Sequence, residues 1–333
     1  MTTNTMLKLA SRPKGMIVHD DFELASGPVP EPGDGEFVVK VEILSLDPAM
    51  RGWVNEGKSY VPPVGIGEVM RALAGGTVIA SKHPKFSEGD TVYGLFGVQE
   101  YALSDGQSVT KIDLSAASLA DWMGGLGMPG ITAYFGLLDV GQPKEGDMVV
   151  VSAASGAVGS IVGQIAKLKG CKVVGIAGGP EKCAYVTDTL GFDACIDYKQ
   201  DNIVEALAEH CPDGIDVYFE NVGGEIFDAV LSRMNMFGRI SVCGMISAYN
   251  ATSAPEGPKN LRFILVNRLT MRGFIVFDFF DRYPEAISAL SDWNKQGLIK
   301  FRQDVREGGV EAFVDTLNLL FTGGNNGKLV LKV

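Results

Sequence analysis

The sequence predicts an α/β protein in two parts, a doubly wound parallel sheet and a separate β-rich domain. From Met148 to Gly170 an apolar, β-branched run turns through small residues and continues with apolar residues at helical spacing. Downstream of it, strand and helix patterns alternate over ~130 residues, the signature of a parallel sheet covered by helices. Upstream, residues 1–125 show short strands divided by turn signals. The expected division is 1–125 with 300–333 in the β-rich domain and 126–299 in the parallel-sheet domain.

In chain order, Glu36 to Leu46 alternates apolar and polar residues as a half-buried strand does. Shorter strands fit Gly75–Ala80, Thr91–Leu95 and Val98–Leu103, with turns at Glu31 to Gly35 and Ser87 to Asp90. Leu126–Leu138 reads as a loop opening a helix. After the central unit, strands are expected at Cys171–Ala177, Ala194–Tyr198, Ile215–Val222, Arg239–Gly244 and Leu269–Phe277. Helices are expected at Pro180–Leu190, Ile203–His210, Glu225–Met234 and Leu261–Arg268. The tail predicts helices at Pro284–Gln296 and Val310–Phe321, and strands at Ile299–Arg306 and Lys328–Val333, returning to the first domain.

The central unit is a dinucleotide-binding (Rossmann) signature: strand, glycine turn, helix. Its turn, Ala154-Ser155-Gly156-Ala157-Val158-Gly159, follows G-x-G-x-x-G with Ala154 in place of the first glycine. Gly156 removes the Cβ that would hold a pyrophosphate away from the backbone. Gly159 lets the helix pack on the strand, and the helix N-terminus offers N–H groups to phosphate. A purely structural glycine turn is the competing reading, and the flanking strand and helix weigh against it.

A net charge of −11 supplies no basic footprint for a nucleic-acid backbone. No apolar run approaches the ~18 residues of a membrane span, and a cytoplasmic protein is expected. Five cysteines, all from Cys171 onward and none in a CxxC pair, give no disulfide framework.

The second strand of the dinucleotide unit ends in Ala177-Gly178-Gly179-Pro180, with no carboxylate at its tip. A carboxylate there would hold a 2′-hydroxyl and repel a 2′-phosphate. Its absence, with Lys182 in the next helical turn, favours NADP(H). Lys182 as a plain solvated lysine is the alternative, and Glu181 reaching inward would favour NAD(H).

A β-rich domain ahead of a dinucleotide domain resembles the medium-chain dehydrogenase/reductase superfamily over essentially the full chain, which makes the first domain GroES-like. Many members bind zinc through an early Cys and a following His-Glu pair. Leu44 to Arg51 here has no Cys, and Gly65 to Val69 has no His, so no metal site is expected. More narrowly, the chain is similar to the zinc-free branch of prostaglandin reductases, leukotriene dehydrogenases and double-bond reductases. The blocks carrying this include Leu46-Asp-Pro-Ala-Met-Arg51, Gly127-Met-Pro-Gly-Ile-Thr-Ala133, Glu220-Asn-Val-Gly-Gly-Glu225 and Cys243-Gly-Met-Ile-Ser-Ala-Tyr-Asn250. Ala49 departs from the Tyr that relatives often carry there.

The resemblance implies NADPH-dependent reduction of the C=C bond of an α,β-unsaturated ketone or aldehyde, a small-molecule substrate. Hydride goes to the β-carbon, and the enolate charge meets prearranged donors. Tyr249, just past a strand end, is the expected donor, shared with a ribose hydroxyl of the cofactor; a packed loop aromatic is the alternative. Carried over position by position, Lys182 and Tyr198 would sit at the adenosine phosphate end. Asn221, Cys243, Phe277 and Asn325 would face the nicotinamide half, with Met128 and Thr132 near the phosphates or nicotinamide. The resemblance also implies a homodimer. A quinone reductase on the same scaffold and a non-catalytic NADPH binder are the competing functions.

Overall fold

The computed structural model describes residues 3–333. The chain forms two compact units, Met1–Gly124 with Gln303–Val333, and Gly125–Arg302.

In the first unit, β1 (Thr3–Leu9) and β2 (Phe22–Pro28) pair as an antiparallel ribbon. They are followed by β3 (Phe37–Ser45), the short helix α1 (Ala49–Trp53), β4 (Leu73–Ser81), β5 (Thr91–Leu95), β6 (Tyr101–Ser104), β7 (Thr110–Lys111) and α2 (Leu119–Met123). The second unit contains α3 (Met128–Phe135), β8 (Met148–Ser152), α4 (Gly159–Leu168), β9 (Lys172–Ala177), α5 (Pro180–Ala184), β10 (Ala194–Asp197) and α6 (Ile203–His210). It continues through β11 (Ile215–Glu220), α7 (Gly224–Leu231), β12 (Met234–Val242), α8 (Arg262–Val266), β13 (Thr270–Gly273) and α9 (Tyr283–Lys295). The chain then re-enters the first unit with β14 (Gln303–Arg306), α10 (Phe313–Thr322) and β15 (Lys328–Lys332).

The first unit closes around a seven-stranded sheet of order β14-β15-β3-β4-β5-β7, with β6 pairing β3. Its core gathers Leu9, Phe37, Leu44, Met50, Phe313 and Leu331 among others. The buried Arg51 guanidinium donates to the carbonyls of Gly15 and Pro13 and to Asn55 Oδ1. That makes it an anchor for the loop ahead of β2.

The second unit is a six-stranded sheet of order β10-β9-β8-β11-β12-β13, parallel throughout. The order runs outward from β8 in one direction and from β11 in the other. The reversal between them is the switch point at which open α/β sheets bind ligands. Val149, Val150, Val151, Val173, Val174 and Val217 are buried, as strands covered on both faces require. This is the α/β class that the strand–helix alternation predicts. α6 begins where predicted because the Asn202 side chain caps the amides of Val204 and Glu205.

The structure departs from the sequence expectation at three further places. The β1–β2 ribbon was not foreseen, because neither segment has the clean apolar alternation of β3. The strand expected over Leu269–Phe277 stops at Gly273, and Phe277 lies in a 3₁₀ segment, Val276–Arg282. The Asp278 carboxylate accepts the Ile275 N–H at 3.1 Å, and Phe279 stacks on Phe135 with ring centroids 4.6 Å apart. Together they turn the chain out of the sheet. The helix expected to reach Met234 ends at Leu231, and β12 begins at Met234.

Among the described residues no helix is long and apolar enough to cross a membrane.

Gly163 of α4 gives a test of this packing. A Cβ there would lie 1.8 Å from Cζ of the Phe192 ring. In a free helix Gly→Ala stabilises by about 1 kcal/mol. Here overpacking outweighs that gain, and Gly163→Ala should destabilise by roughly 1–3 kcal/mol in urea unfolding. A variant more stable than wild type would refute the contact.

Candidate active site

Apart from Met128 and Thr132 on α3, the residues singled out in the second unit emerge at or beyond the carboxyl ends of its strands. Ala153 to Val158 follow β8, Gly178 to Lys182 follow β9, and Tyr198 follows β10. Asn221 follows β11, Cys243 follows β12, and Phe277 lies beyond β13.

At the β8 turn, Ala153 takes a left-handed conformation with φ 51°. Its carbonyl accepts the Gly156 N–H at 2.9 Å. A Cβ on Gly159 would lie 2.4 Å from that same oxygen, and one on Gly156 3.1 Å from it. The two glycines therefore let the turn fold tightly against its own first carbonyl. Val158, at the start of α4, has no side-chain cap. The amides of Ala157, Val158 and Gly159 donate no hydrogen bond among the described residues. Unmatched N–H groups at the head of a ten-residue helix fit an anionic diphosphate.

At the β9 tip, a Cβ on Gly178 would lie 2.8 Å from Cε1 of the Tyr198 ring, so the glycine lets that ring lie over the backbone. Tyr198 is 44% exposed, which makes it a platform for a flat ligand. Two acids lie near this end. Glu181 Oε1 is 3.7 Å from the Arg302 guanidinium. Asp197 Oδ1 accepts the Gly179 N–H at 2.7 Å and the Lys199 N–H at 3.1 Å. Sequence reasoning missed Asp197, since a strand-end acid on β10 carries no distinguishing signal.

The switch point is fastened by Ser152 and Glu220, neither of which the sequence singled out for a role. The Asn221 N–H donates to Ser152 Oγ at 2.8 Å, and its side-chain amide donates to the Ser152 carbonyl at 2.8 Å. The Ser152 hydroxyl donates to Glu220 Oε1 at 3.1 Å, which also accepts the Val222 N–H and, at 2.8 Å, the Gly223 N–H. Glu220 is 1% exposed. Its Oε2 has no well-aligned partner among the described residues, although the buried Tyr218 hydroxyl is close enough to favour the ionised form. Burial prevails over these donors and pushes the carboxyl above its ordinary range. A polar pair at the ends of two otherwise apolar strands was the only signal available.

The next loop hangs from the same residues. The Cys243 and Gly244 amides donate to the Glu220 carbonyl at 2.9 and 3.1 Å, and the Ile246 amide to the Asn221 carbonyl at 3.1 Å. The Ser247 hydroxyl donates to the Val222 carbonyl at 2.6 Å. A 3₁₀ turn, Ile246–Ala248, then delivers Tyr249. The Met245 N–H donates to its hydroxyl oxygen at 3.3 Å. A Cβ on Gly244 would lie 3.0 Å from that oxygen, so the phenol rests on Gly244. The Cys243 thiol is desolvated, and burial first and Glu220 second push its pKa up to about 12. It is a thiol at neutral pH, with no nucleophile's character.

Met128 opens α3, and the Thr132 hydroxyl donates back to its carbonyl at 2.7 Å. Phe277 is 43% exposed. Asn325 belongs to the other unit, where its amide donates to the Gly327 carbonyl at 2.9 Å. Among the described residues no three of His, Cys, Asp and Glu are grouped to hold a metal ion.

Residues 6–112 match the family model for the N-terminal domain of oxidoreductases, and residues 157–292 match that of zinc-binding dehydrogenases. The chain is 46% identical to the NADPH-dependent curcumin reductase of Escherichia coli (strain K12), covering 98% of this chain and 95% of that one. It is 44% identical to the NADP(+)-dependent 2-alkenal reductase of Nicotiana tabacum, covering 92% and 89%. The crystal structure of CurA in complex with NADPH from Vibrio vulnificus superposes with a TM-score of 0.93 at 47% identity, covering 99% of both chains. This chain belongs to the zinc-independent branch of the medium-chain dehydrogenase/reductase superfamily.

Glu220→Gln tests the buried carboxyl. Its folded pKa is raised above the unfolded one, so the native chain holds the extra proton. The stability this contributes is present below the unfolded carboxylate range and is lost as pH rises through the folded value. Glutamine has no such proton. The melting temperature of wild type relative to Glu220→Gln should therefore fall as pH rises from about 4 toward neutrality. Parallel curves would refute the assignment.

Proposed function

We propose that this protein uses NADPH to reduce the carbon–carbon double bond of α,β-unsaturated ketones and aldehydes. The observation that carries the reading is a tyrosine hydroxyl held beside the tips of β11 and β12 by a loop tied to Glu220 and Asn221. Relatives alike over nearly their whole length carry the names of NADPH-dependent reductases, one of them a 2-alkenal reductase.

On this reading the turn Ala154-Ser155-Gly156-Ala157-Val158-Gly159, with Met128 and Thr132, receives the diphosphate. Gly178, Lys182 and Tyr198 receive the adenosine end, with Lys182 as the cation for a 2′-phosphate. Asn221, Cys243 and Phe277 face the nicotinamide half. When bound, NADPH supplies the hydride that the β-carbon receives. Tyr249 donates to the carbonyl oxygen as negative charge develops there. The Met245 N–H on the phenol oxygen polarises the O–H and strengthens that donation. The donor is in place before charge develops, which is what makes such groups effective. Asn221 cannot turn away, because both its amides are engaged by Ser152. A cytoplasmic location accompanies this reading.

We also propose a homodimer. β13 is an edge strand whose four residues, Met271 among them, are all exposed, and Met236, Phe237 and Leu265 add exposed apolar surface. The expected sedimentation mass is that of a dimer, shifted toward monomer by Met271→Lys. A wild-type monomer would overturn the proposal.

The direct test is initial-rate oxidation of NADPH and of NADH with a medium-chain 2-alkenone, and separately with a quinone. Turnover with enone and NADPH is expected. Tyr249→Phe should lower kcat by up to ~10²-fold without abolishing it. Lys182→Ala should raise KM for NADPH by roughly 10- to 100-fold, the loss of one charge-assisted hydrogen bond, and leave NADH unaffected. Turnover with quinone alone would overturn the substrate class, and equal use of NADH would overturn the role of Lys182.

A further inference from the structure

Cys183 and Cys195 are both free thiols, yet their sulfurs lie 3.1 Å apart. Cys183 sits in α5 directly after Lys182, and Cys195 in β10 two residues before Asp197. Neither is fully buried, in contrast to Cys171 and Cys211. The Cys195 S–H donates to the Cys183 sulfur. Burial pushes the Cys183 thiol up; this hydrogen bond opposes the shift, and the Asp197 and Asp201 carboxylates add to it. Cys195 is the more deeply desolvated of the two.

The pair is mechanically linked to the adenosine end of the candidate site. The Cys183 N–H donates to the Gly179 carbonyl at 3.1 Å, and the Gly179 N–H donates to Asp197 Oδ1 at 2.7 Å. A disulfide bond is about 2.05 Å long, so forming one brings the two sulfurs roughly 1 Å closer and fixes α5 to β10 through a covalent link. Gly178 and Gly179 form the turn that leads into α5, and Lys182 precedes Cys183 on that helix.

We propose that Cys183 and Cys195 are a modification site, a dithiol that hydrogen peroxide converts to a disulfide, and that the disulfide weakens NADPH binding. The second half rests on the cofactor reading given above. The Cys183 thiolate attacks one peroxide oxygen; the S–O bond forms, the O–O bond breaks, and the departing hydroxide takes a proton to become water. Cys183 is then a sulfenic acid. The Cys195 sulfur attacks the Cys183 sulfur, and the displaced hydroxide leaves as a second water with the Cys195 proton. Two thiols have lost two electrons and two protons, and one peroxide has been reduced to two waters. Cys195, already in contact, resolves the sulfenic acid before a second peroxide can carry it to the irreversible sulfinic state.

The test uses the full-length reduced protein, treated with hydrogen peroxide and desalted. Peptide mapping should show one disulfide, Cys183 to Cys195, with free thiols falling from five to three and mass falling by two hydrogens. The Kd for NADPH, followed by cofactor fluorescence, should rise about tenfold, a loss of about 1.4 kcal/mol. Dithiothreitol should restore both. Cys183→Ser should keep the basal Kd and lose the peroxide response. In Cys195→Ser, peroxide should leave Cys183 as sulfinic acid. Five remaining thiols, or a disulfide between other cysteines, would overturn the site. The mapped disulfide with an unchanged Kd would overturn the coupling. Reduced protein that binds no NADPH while the disulfide still maps would refute the cofactor reading and the coupling with it, leaving the dithiol standing.

Discussion

The hydroxyl of Ser152 is the fastening on which the candidate site depends. In a parallel sheet the ladder between β8 and β11 ends where the chains must diverge, one toward α4 and one toward α7. There the backbone loses its partners at the point where a ligand site needs fixed geometry. Ser152 supplies what the ladder no longer can, by accepting from Asn221 and donating to Glu220. Each such bond contributes only about 1 kcal/mol net. Their effect is on position, because Asn221 is held at two points and Glu220 at three.

Glu220 carries that order one strand further. Its carboxylate collects the amides of the Val222–Gly223 turn, and its carbonyl collects those of Cys243 and Gly244. Tyr249 is thereby referred back to β8 through hydrogen bonds. A carboxylate so deeply buried works against stability once ionised. Its presence at the one place where three strand ends meet argues that geometry outweighs that cost. A leucine of similar bulk would fill the space and leave two amides, those of Val222 and Gly223, and the Ser152 hydroxyl without this partner.

The alternation of strands and helices in the second unit was legible because each buried strand is a short apolar run and each helix has its own start signal. Asn202 before α6 and Pro180 at α5 are instances. Interactions at long range were not legible. Nothing in Gly273 to Phe280 announces that Phe279 will stack on Phe135, far back in the chain, and that this pairing ends β13 early. The ribbon of β1 and β2 likewise exists through pairing between two individually weak segments. Of the candidate site, the glycine turn could be read directly, because its constraint is local: Gly159 must approach the carbonyl of Ala153. The clamp of Ser152 and Glu220 could not, since 67 intervening residues must fold before the two side chains meet.

The adenosine end shows why counting acids along a strand is an incomplete guide to cofactor choice. The tip of β9 has no carboxylate, which favours a 2′-phosphate, yet Glu181 and Asp197 both lie close by. What matters is where each charge is directed. Glu181 lies toward Arg302, and Asp197 is turned into the backbone of Gly179 and Lys199, where two amides neutralise part of its field. Asp197 therefore holds the Gly179 turn that leads into α5, the helix that carries Lys182, in place of competing with it. The same acid lies two residues from Cys195, so the loop's position is set jointly by an acid–amide contact and a thiol pair. A cofactor whose recognition rests on one lysine of α5 is for this reason sensitive to small movements of α5 against β10.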